Sequence, residues 1–370
     1  MYDLQVRDLV TKSKVLVAMS GGVDSSVAAA LLLQQGYKIE GATIEMWPKD
    51  DPVYTGKSTP CLRSAVLDAQ QVAKTLGITH HVIDFSQEFA ENVVNNFINE
   101  YFKGRTPNPC IVCNRKIKFG AFFQAARDLG ADMVATGHYA QVVFDEDSGR
   151  YLLYRGKDKT KDQTYVLYSL TQGQLEEAIF PLGRFSKQEI RNLAEEFKLP
   201  VADKKESQEI CFIPDNDYRR FLKAAGAHEV IPGPFLDMEG KEIGKHRGIP
   251  FYTIGQRKGL GLALGYPAYV ISIDAKNNAV VVGPKDALFS REVLVKNNNF
   301  ISFDRLEEPV QVSVKIRYNS TPAEAVIAPK EDMVVVTFKE PQKAVTPGQS
   351  AVYYQGDMVV GGGIIESSQI

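Results

Sequence analysis

Two of the chain's four cysteines stand three residues apart in Thr106-Pro-Asn-Pro-Cys-Ile-Val-Cys-Asn114. Pro107 and Pro109 stiffen the approach, and the residue pattern predicts a helix over 115–129 just after. Thiols near a helix N-terminus, with Arg115, Lys116 and Lys118 close by, are expected to have lowered pKa values and to be nucleophilic thiolates at neutral pH. Cys211, in Glu206-Ser-Gln-Glu-Ile-Cys-Phe212, is a third sulfur of interest. Cys61 precedes a predicted helix over 62–76, has no partner motif and reads as structural. A C-x-x-C is also half of a structural zinc site, which needs four ligands. Here no second C-x-x-C exists, and only Cys211 and one of five histidines could complete the set.

The second chemical element is Val15-Leu-Val-Ala-Met-Ser-Gly-Gly-Val-Asp-Ser-Ser26. An apolar run, 15–19, has the length of a buried strand. It breaks at Ser20-Gly21-Gly22 and gives way to a helical run over 27–33, closed by Gly36. Strand, glycine turn and helix N-terminus together make an anion site, because the backbone can come close and unpaired N–H groups face the ligand. The turn lacks the lysine of a Walker loop and the spacing of the G-x-G-x-x-G dinucleotide turn. It resembles instead the PP-loop of ATP pyrophosphatases, which activate a carbonyl oxygen by adenylation and release pyrophosphate.

These pieces need a frame. Residues 1–140 alternate strand and helix: strands over 39–46, 80–85 and 132–136, helices over 62–76, 87–102 and 115–129. That rhythm predicts a parallel sheet with helices on both faces. Ligands bind beyond the carboxyl ends of such strands, so the turn Gly137-His138-Tyr139 should reach the same rim as Ser20–Ser26. Runs at 141–144 and 151–154 read as a hairpin. Ser186-Lys-Gln-Glu189 is a capping box opening a helix that Leu199-Pro200 ends. After a helix over 218–224 the texture becomes glycine-rich with short strands, at 293–296, 310–316, 323–327, 333–338, 351–354 and 357–364. Small β-barrels are the expected result. Domain boundaries are placed near 214 and 287, giving a catalytic domain over 1–214, a central β-rich domain over 215–287 and a C-terminal barrel over 288–370.

Bulk properties narrow the setting. The composition, 44% hydrophobic and 24% charged with net charge −2, is that of a globular chain. No apolar run reaches the roughly 18 residues of a membrane span, and no secretory signal opens the sequence. Four cysteines in 370 residues are not a disulfide framework, and a reducing cytoplasm is the expected location. Residues 103–118 carry five basic side chains and no acid, and 241–258 carry five against one Glu. Both stretches suit nucleic-acid phosphates, and both are equally readable as solvated loops.

Taken together, Ala18-Met-Ser-Gly-Gly-Val-Asp-Ser25, Gly104-Arg-Thr-Pro-Asn-Pro109, Cys113-Asn114, Ala135-Thr-Gly-His-Tyr139, Lys161-Asp-Gln163, Ser207-Gln-Glu-Ile-Cys211 and Gly255-Gln-Arg-Lys-Gly259 resemble the bacterial tRNA-specific 2-thiouridylases. The likeness runs over essentially the whole chain. It implies an α/β fold, with a parallel-sheet PP-loop domain followed by a small central β-rich domain and a C-terminal β-barrel. It also implies a sulfurtransferase that converts the C2 carbonyl of the wobble uridine in tRNA to a thiocarbonyl, using ATP and Mg²⁺. By that resemblance Ala18, Met19, Ser20, Gly21, Gly22, Val23, Asp24 and Ser25 bind ATP, with Asp24 helping to hold Mg²⁺ and Ile44 and Gly137 contacting the nucleotide. Cys211 carries a persulfide, supplied by a sulfur-donor protein, and Cys113 is the second catalytic cysteine. Cys113 can release sulfide by forming a disulfide with Cys211.

One departure concerns Cys110. Many members of that family carry an aspartate there, a general acid/base. Cys110, Cys113 and Cys211 could together hold three irons of a [4Fe–4S] cluster and leave the fourth iron open for sulfide. The persulfide and the cluster use the same residues.

For RNA, the target base must be flipped out of its stack. The resemblance assigns Asn108, Pro109 and Cys110 to the target base, and His138, Lys161, Asp162, Gln163, Arg317, Tyr318 and Gln349 to other tRNA contacts. Arg257 and Lys258 in the middle domain suit phosphate. Two rival classes share parts of this pattern. A PP-loop amide synthetase would share the glycine loop, and a non-catalytic RNA-binding module would share the barrels and basic runs.

Overall fold

The computed structural model describes residues 13–46, 59–204, 210–213, 215–226 and 228–369, with the side chains of 59–63 and 368–369 outside that set. Residues 47–58 lie outside the described residues. The side chain of Cys61 and residues 205–209, ahead of Cys211, also lie outside them.

The alternating apolar runs become β1 (Lys14–Ala18), α1 (Val23–Gln34), β2 (Lys38–Glu45), α2 (Thr59–Leu76) and β3 (His80–Asp84). Then come α3 (Ser86–Phe89), α4 (Asn95–Phe102), α5 (Pro109–Cys113), α6 (Phe122–Asp128) and β4 (Met133–Ala135). Two π-helical stretches, 90–94 and 114–121, join α3 to α4 and α5 to α6. The hairpin is β5 (Ala140–Asp145) with β6 (Arg150–Arg155), and α7 (Gln172–Glu177), β7 (Ala178–Ile179) and α8 (Lys187–Glu196) complete the alternation.

The sheet order is β3-β2-β1-β4-β7, all parallel. β1 therefore lies at the centre, and the order reverses between β1 and β4. A crevice opens beyond the strand ends at such a switch point. The fold thus supplies the site that the glycine loop needs. α1 is apolar on every side, and it is buried accordingly. Val27, Leu31 and Leu32 pack with Val15 and Val17 of β1 and with Ile190 and Leu193 of α8. The predicted capping box is present: Ser186 Oγ accepts from the Glu189 amide, and Glu189 accepts in return from the Ser186 amide at 2.6 Å.

Past residue 214 the chain forms α9 (Tyr218–Ala225), β8 (Gly233–Leu236), β9 (Glu242–His246), β10 (Tyr269–Asp274) and β11 (Ala279–Gly283), a four-stranded sheet in the order β10-β11-β8-β9. Phe235, Tyr252, Val270, Val280 and Val282 make its core. The six expected C-terminal strands are β12 (Phe289–Phe300), β13 (Val310–Lys315), β14 (Ala323–Lys330), β15 (Met333–Lys343), β16 (Ser350–Gln355) and β17 (Met358–Gln369). They run β12-β15-β14-β13-β16-β17, and antiparallel pairing of β12 with β17 closes the barrel. Closure removes the open edges that invite aggregation.

The chain packs as two compact units. One contains the parallel sheet and takes residues 1–93, 110–214 and 357–359. The other contains the central sheet and most of the barrel, and also recruits 94–109 from the early chain.

Candidate functional site

In the first unit the loop after β1 is closed by its own hydroxyls. Ser25 Oγ accepts from the Ser20 amide at 3.1 Å and sits 3.2 Å from Ser20 Oγ, while Ser26 Oγ donates to the Gly22 carbonyl at 2.8 Å. Ser25 and Ser26 are buried in this work, and Ser20 is exposed at the loop surface. Gly21 has φ +69°, and a Cβ on it would fall 2.2 Å from the Ala65 carbonyl oxygen. Only glycine fits there. Gly22 caps α1 without a side chain, so the helix's first amides are not covered by one. Ala18 and Met19 end the strand, and the Met19 amide donates to Ala42 at 2.8 Å. Ile44 lies half-buried on β2, opposite Ile83 of β3.

The turn after β4 does reach α1. A Cβ on Gly137 would stand 2.8 Å from the Ser25 amide nitrogen and 3.0 Å from the Asp24 carbonyl carbon, so a side chain would push the two loops apart. Asp24 Oδ1 accepts from Tyr139 Oη at 2.8 Å and from Lys187 Nζ at 2.7 Å. Lys204 Nζ donates to the Gly21 carbonyl at 2.9 Å and pairs with Asp68 at 2.5 Å. Val23 is buried at the start of the helix. Lys187 and Lys204 carry no local signal in the sequence, being 163 and 183 residues from the groups they bind. Each cation is paired with a carboxylate, Lys187 with Asp24 and Lys204 with Asp68, at the rim of the loop.

The sulfur residues occupy the same unit. The sequence reading placed Cys110 and Cys113 ahead of a helix starting at 115, but the helix starts at Pro109 and both cysteines lie in α5 itself. Proline at the first helical position explains the earlier start, since its missing N–H costs nothing there. Cys113 is buried, whereas Cys110 and Cys211 present surface, and all three are free thiols.

The expected lowering of their pKa values is overturned. Burial pushes the Cys113 thiol up to about 11, against the opposing pull of Lys118. Cys110 is raised for the same reason. Cys211 is raised furthest, first by desolvation and then by Cys113 and Cys110. Though Cys110 and Cys211 are reachable, enough protein surrounds their sulfurs that loss of water outweighs the nearby cation. The three thiols are therefore mutual electrostatic neighbours, and Lys118 acts on each of them. Of the three basic residues noted in the sequence, Arg115 and Lys116 are exposed and only Lys118 acts on the thiols. Lys118 lies in the π-helical stretch, five residues beyond Cys113. An α-helix turns about 100° per residue and would carry that position away from the cysteine face, whereas the wider π turn brings i+5 round toward it. Asn114, 1% exposed, donates to the Val166 carbonyl at 2.9 Å and so anchors the same turn.

The three cysteines match in number and kind the ligands of an iron–sulfur cluster with one open iron. A single metal ion is a different matter, since no group of three His, Cys, Asp or Glu among the described residues could hold one.

The residues assigned to tRNA fall into two groups. His138 is buried, its Nδ1 lies 2.7 Å from Thr136 Oγ1, and burial depresses its pKa well below the ordinary histidine value. Gln163 accepts from the Tyr139 amide at 2.9 Å and so braces the turn after β4, whereas Asp162 accepts from Thr164 Oγ1 at 2.7 Å and faces Arg155 at 3.5 Å. Lys161 is half-buried beside them. In the second unit, Gln349 Nε2 donates to the carbonyls of Thr106 at 2.9 Å and Pro107 at 3.3 Å. The Thr106 amide donates to Pro347 at 2.9 Å, and Arg105 bonds Glu100 at 2.7 Å, Glu366 at 2.8 Å and the Ile365 carbonyl at 3.1 Å. Gln349 thus fastens the strap that leads to Asn108 and Pro109. Arg317 and Tyr318 are exposed on the barrel, with the Tyr318 ring 5.7 Å from Lys315 Nζ.

Comparison with known proteins agrees with this geometry. Three family models match in succession: the tRNA methyl transferase HUP domain over 13–215, the tRNA methyl transferase PRC-barrel domain over 219–284 and the aminomethyltransferase β-barrel domain over 290–365. Curated relatives named tRNA-specific 2-thiouridylase occur in Thermoanaerobacter sp. (strain X514), 54% identical over 96% of this chain and 98% of that one. Others occur in Heliobacterium modesticaldum, 54% identical over 96% and 92%, and in Acetivibrio thermocellus, 52% identical over 96% and 100%. The models keep a methyl-transferase label, but the full-length relatives are thiouridylases, and sulfur transfer is the chemistry that a three-thiol site can serve. The chain belongs to the family of tRNA-specific 2-thiouridylases.

Proposed function

We propose that this tRNA sulfurtransferase adenylates the C2 oxygen of the wobble uridine with ATP and then delivers sulfur from its own cysteines. The observation that carries the reading is the placement of Cys110, Cys113 and Cys211 around Lys118 in the unit that also bears the glycine loop. A carbonyl oxygen is a poor leaving group. Attack by that oxygen on the α-phosphorus expels pyrophosphate and leaves AMP as a far better one. The amides of Ser20 to Ser25, with Lys187 and Lys204 at the rim, suit the phosphates. Asp24 suits a hydrated Mg²⁺ through Oδ2, since both of its recorded bonds use Oδ1. Ile44 and Gly137 suit the adenosine side.

In the sulfur step, the terminal sulfur of a Cys211 persulfide attacks C2 and AMP departs, leaving a C2–S–S–Cys211 adduct; Cys113 thiolate then attacks Cys211 Sγ, forming the Cys113–Cys211 disulfide and releasing the 2-thiouridine. Alternatively, Cys113 thiolate attacks the inner persulfide sulfur, forming the Cys113–Cys211 disulfide and freeing hydrosulfide as the nucleophile. Lys118 favours each anion as it forms. With thiols this hard to ionise, the negative charge belongs on the more acidic persulfide or on a metal-bound sulfur. Cys110, Cys113 and Cys211 would hold a [4Fe–4S] cluster, which would supply an open iron for sulfide. Asn108, Pro109 and Cys110 suit the target base, with His138, Lys161–Gln163, Arg317, Tyr318 and Gln349 contacting or bracing contacts to the tRNA. The division into a catalytic domain over 1–214, a central domain over 215–287 and a barrel over 288–370 is supported by family matches that change near those positions. A cytoplasmic location fits the substrate, and among the described residues no helix is long and apolar enough to cross a membrane.

The test is anaerobic incubation with ATP, Mg²⁺, a persulfide donor protein or sulfide, and an unmodified tRNA transcript. Equal yields of 2-thiouridine, AMP and pyrophosphate are expected. ATP consumption without thiolated RNA would refute the proposal. Full activity in protein free of iron and acid-labile sulfide would eliminate the cluster.

A further inference from the structure

Between the central-sheet residues Thr253 and Tyr269, the chain makes an excursion without regular structure. Four glycines with positive φ (Gly255, Gly259, Gly261 and Gly265) shape it. Both ends are pinned to β10: the Gly255 amide donates to Val270 at 2.8 Å, and the Val270 amide donates to Gln256 at 2.9 Å. Gln256 stiffens the base further, accepting from the Thr253 amide at 3.2 Å and donating to the Lys258 carbonyl at 3.0 Å. The excursion borders an open pocket of about 370 Å³ lined by Arg257, Leu260, Leu262, Tyr266 and Pro267. That is the low end for a small-molecule pocket. Arg257 and Lys258 are exposed, and Tyr266 is 50% exposed. Among the described residues, neither basic side chain has an ion-pair partner. Leu260 and Leu262 belong to the packing of the central-sheet core, whereas Arg257, Lys258 and the Tyr266 ring are turned to the surface.

The location of the cavity narrows its ligand. Within the same unit, Thr253 Oγ1 lies 3.4 Å from Thr106 Oγ1, and Gly104 packs so closely on Ile273 of β10 that a Cβ there would stand 2.6 Å from Cγ2. The strap 104–107 that delivers Asn108 and Pro109 therefore rests on the same strand that anchors the cavity. We propose that this cavity holds one unstacked nucleotide of the tRNA anticodon loop, its phosphate on Arg257 and Lys258 and its base against Tyr266. This rests on the reading of the protein as a tRNA sulfurtransferase and adds a second nucleotide site to that of the target uridine. Stacking on a tyrosine face accepts any base, while the flanking cations read only backbone. The cavity therefore contributes grip and register rather than sequence choice.

The experiment measures anisotropy of a labelled, unmodified anticodon stem-loop RNA bound to the full chain, at several salt concentrations. Tyr266→Ala weakens binding about tenfold or more, Tyr266→Phe keeps the parent affinity, and Arg257→Ala lowers the salt slope by about one. ATP affinity, measured separately by calorimetry, stays at the parent value in all three, and a parent-like thermal unfolding midpoint reports that the second unit is intact. Parent-like RNA affinity and salt slope in Tyr266→Ala and Arg257→Ala would overturn the inference while leaving the tRNA reading standing. Failure of the parent protein to bind the stem-loop would overturn both.

Discussion

Raising the pH is a direct way to interrogate Cys113. Its thiol is buried and pushed from an ordinary 9.0 to about 11. The thiolate fraction at pH 8 is then about 1 in 1,000, against about 1 in 10 for an ordinary thiol. Absolute alkylation rates would mix this with access, so the informative quantity is a ratio. In a variant with serine at 61, 110 and 211, the iodoacetamide rate at pH 10 should exceed that at pH 8 by about 90-fold, whereas an unperturbed thiol gives about tenfold. Lys118→Met removes the one cation that opposes the rise, so its ratio stays near the upper limit of about 100 and its absolute rates fall. The same shift has a consequence for stability. The folded pKa lies above the unfolded one, so the contribution is fully present below pH 9 and is lost as pH climbs toward 11. It amounts to about 3 kcal/mol at its limit. Urea midpoints of the parent should thus fall more steeply than those of Cys113→Ala between pH 9 and 10.5. An alkylation ratio near 1, the mark of a thiol already ionised at pH 8, would refute the reasoning.

Three other outcomes are expected. Gly137→Ala places a methyl group 2.8 Å from the Ser25 amide, where the neighbours are backbone and cannot swing aside. Overpacking of this kind costs about 1–3 kcal/mol, so nucleotide affinity should fall roughly tenfold, read by equilibrium binding. Arg105→Met and Glu366→Gln should couple by about 1–3 kcal/mol in a double-mutant cycle of urea unfolding, because each removes one partner from the same 2.8 Å contact. The His138 imidazole should show flat proton shifts from pH 6 to 8 by NMR, since burial keeps it neutral. A midpoint near 6.5 would contradict its enclosure.

What could be read without coordinates was what short range decides. Ser20 to Ser26 had to be a loop between strand and helix, because glycines and hydroxyls at that spacing leave few alternatives, and Ser186 with Glu189 announced its cap. The hairpin strands and most barrel strands run longer than their apolar cores, since pairing extends a strand, whereas the runs at 80–85, 132–136 and 310–316 form strands one or two residues shorter. The start of α5 was legible in principle from Pro109, but two prolines were taken only as stiffeners. The acidity of the cysteines was misjudged for a deeper reason. Basic neighbours are visible in sequence, but the protein packed around a sulfur is not, and here that packing dominates. Long-range partners were equally hidden. Gln349 reaches back to Thr106, Lys187 to Asp24 and Gln163 to Tyr139, and no local pattern specifies any of these.

The strap 94–109 has a consequence for how the protein is made. It is synthesised early, yet its hydrogen-bond partners lie near the end, Gln349 being 243 residues downstream of Thr106. At about 5–20 residues per second, a ribosome needs roughly 12–50 s to cover that distance. Phe97 and Tyr101 gain their ring partners Phe221 and Tyr218 once α9 emerges, but the Thr106 end of the strap lacks its Gln349 anchor throughout that interval. Residues 357–359, which complete the first unit, emerge later still. Neither unit has all of its residues before translation is nearly done. A nascent chain stalled short of the barrel is thus left with an unanchored strap, and it is a natural client for chaperones rather than a partly active enzyme.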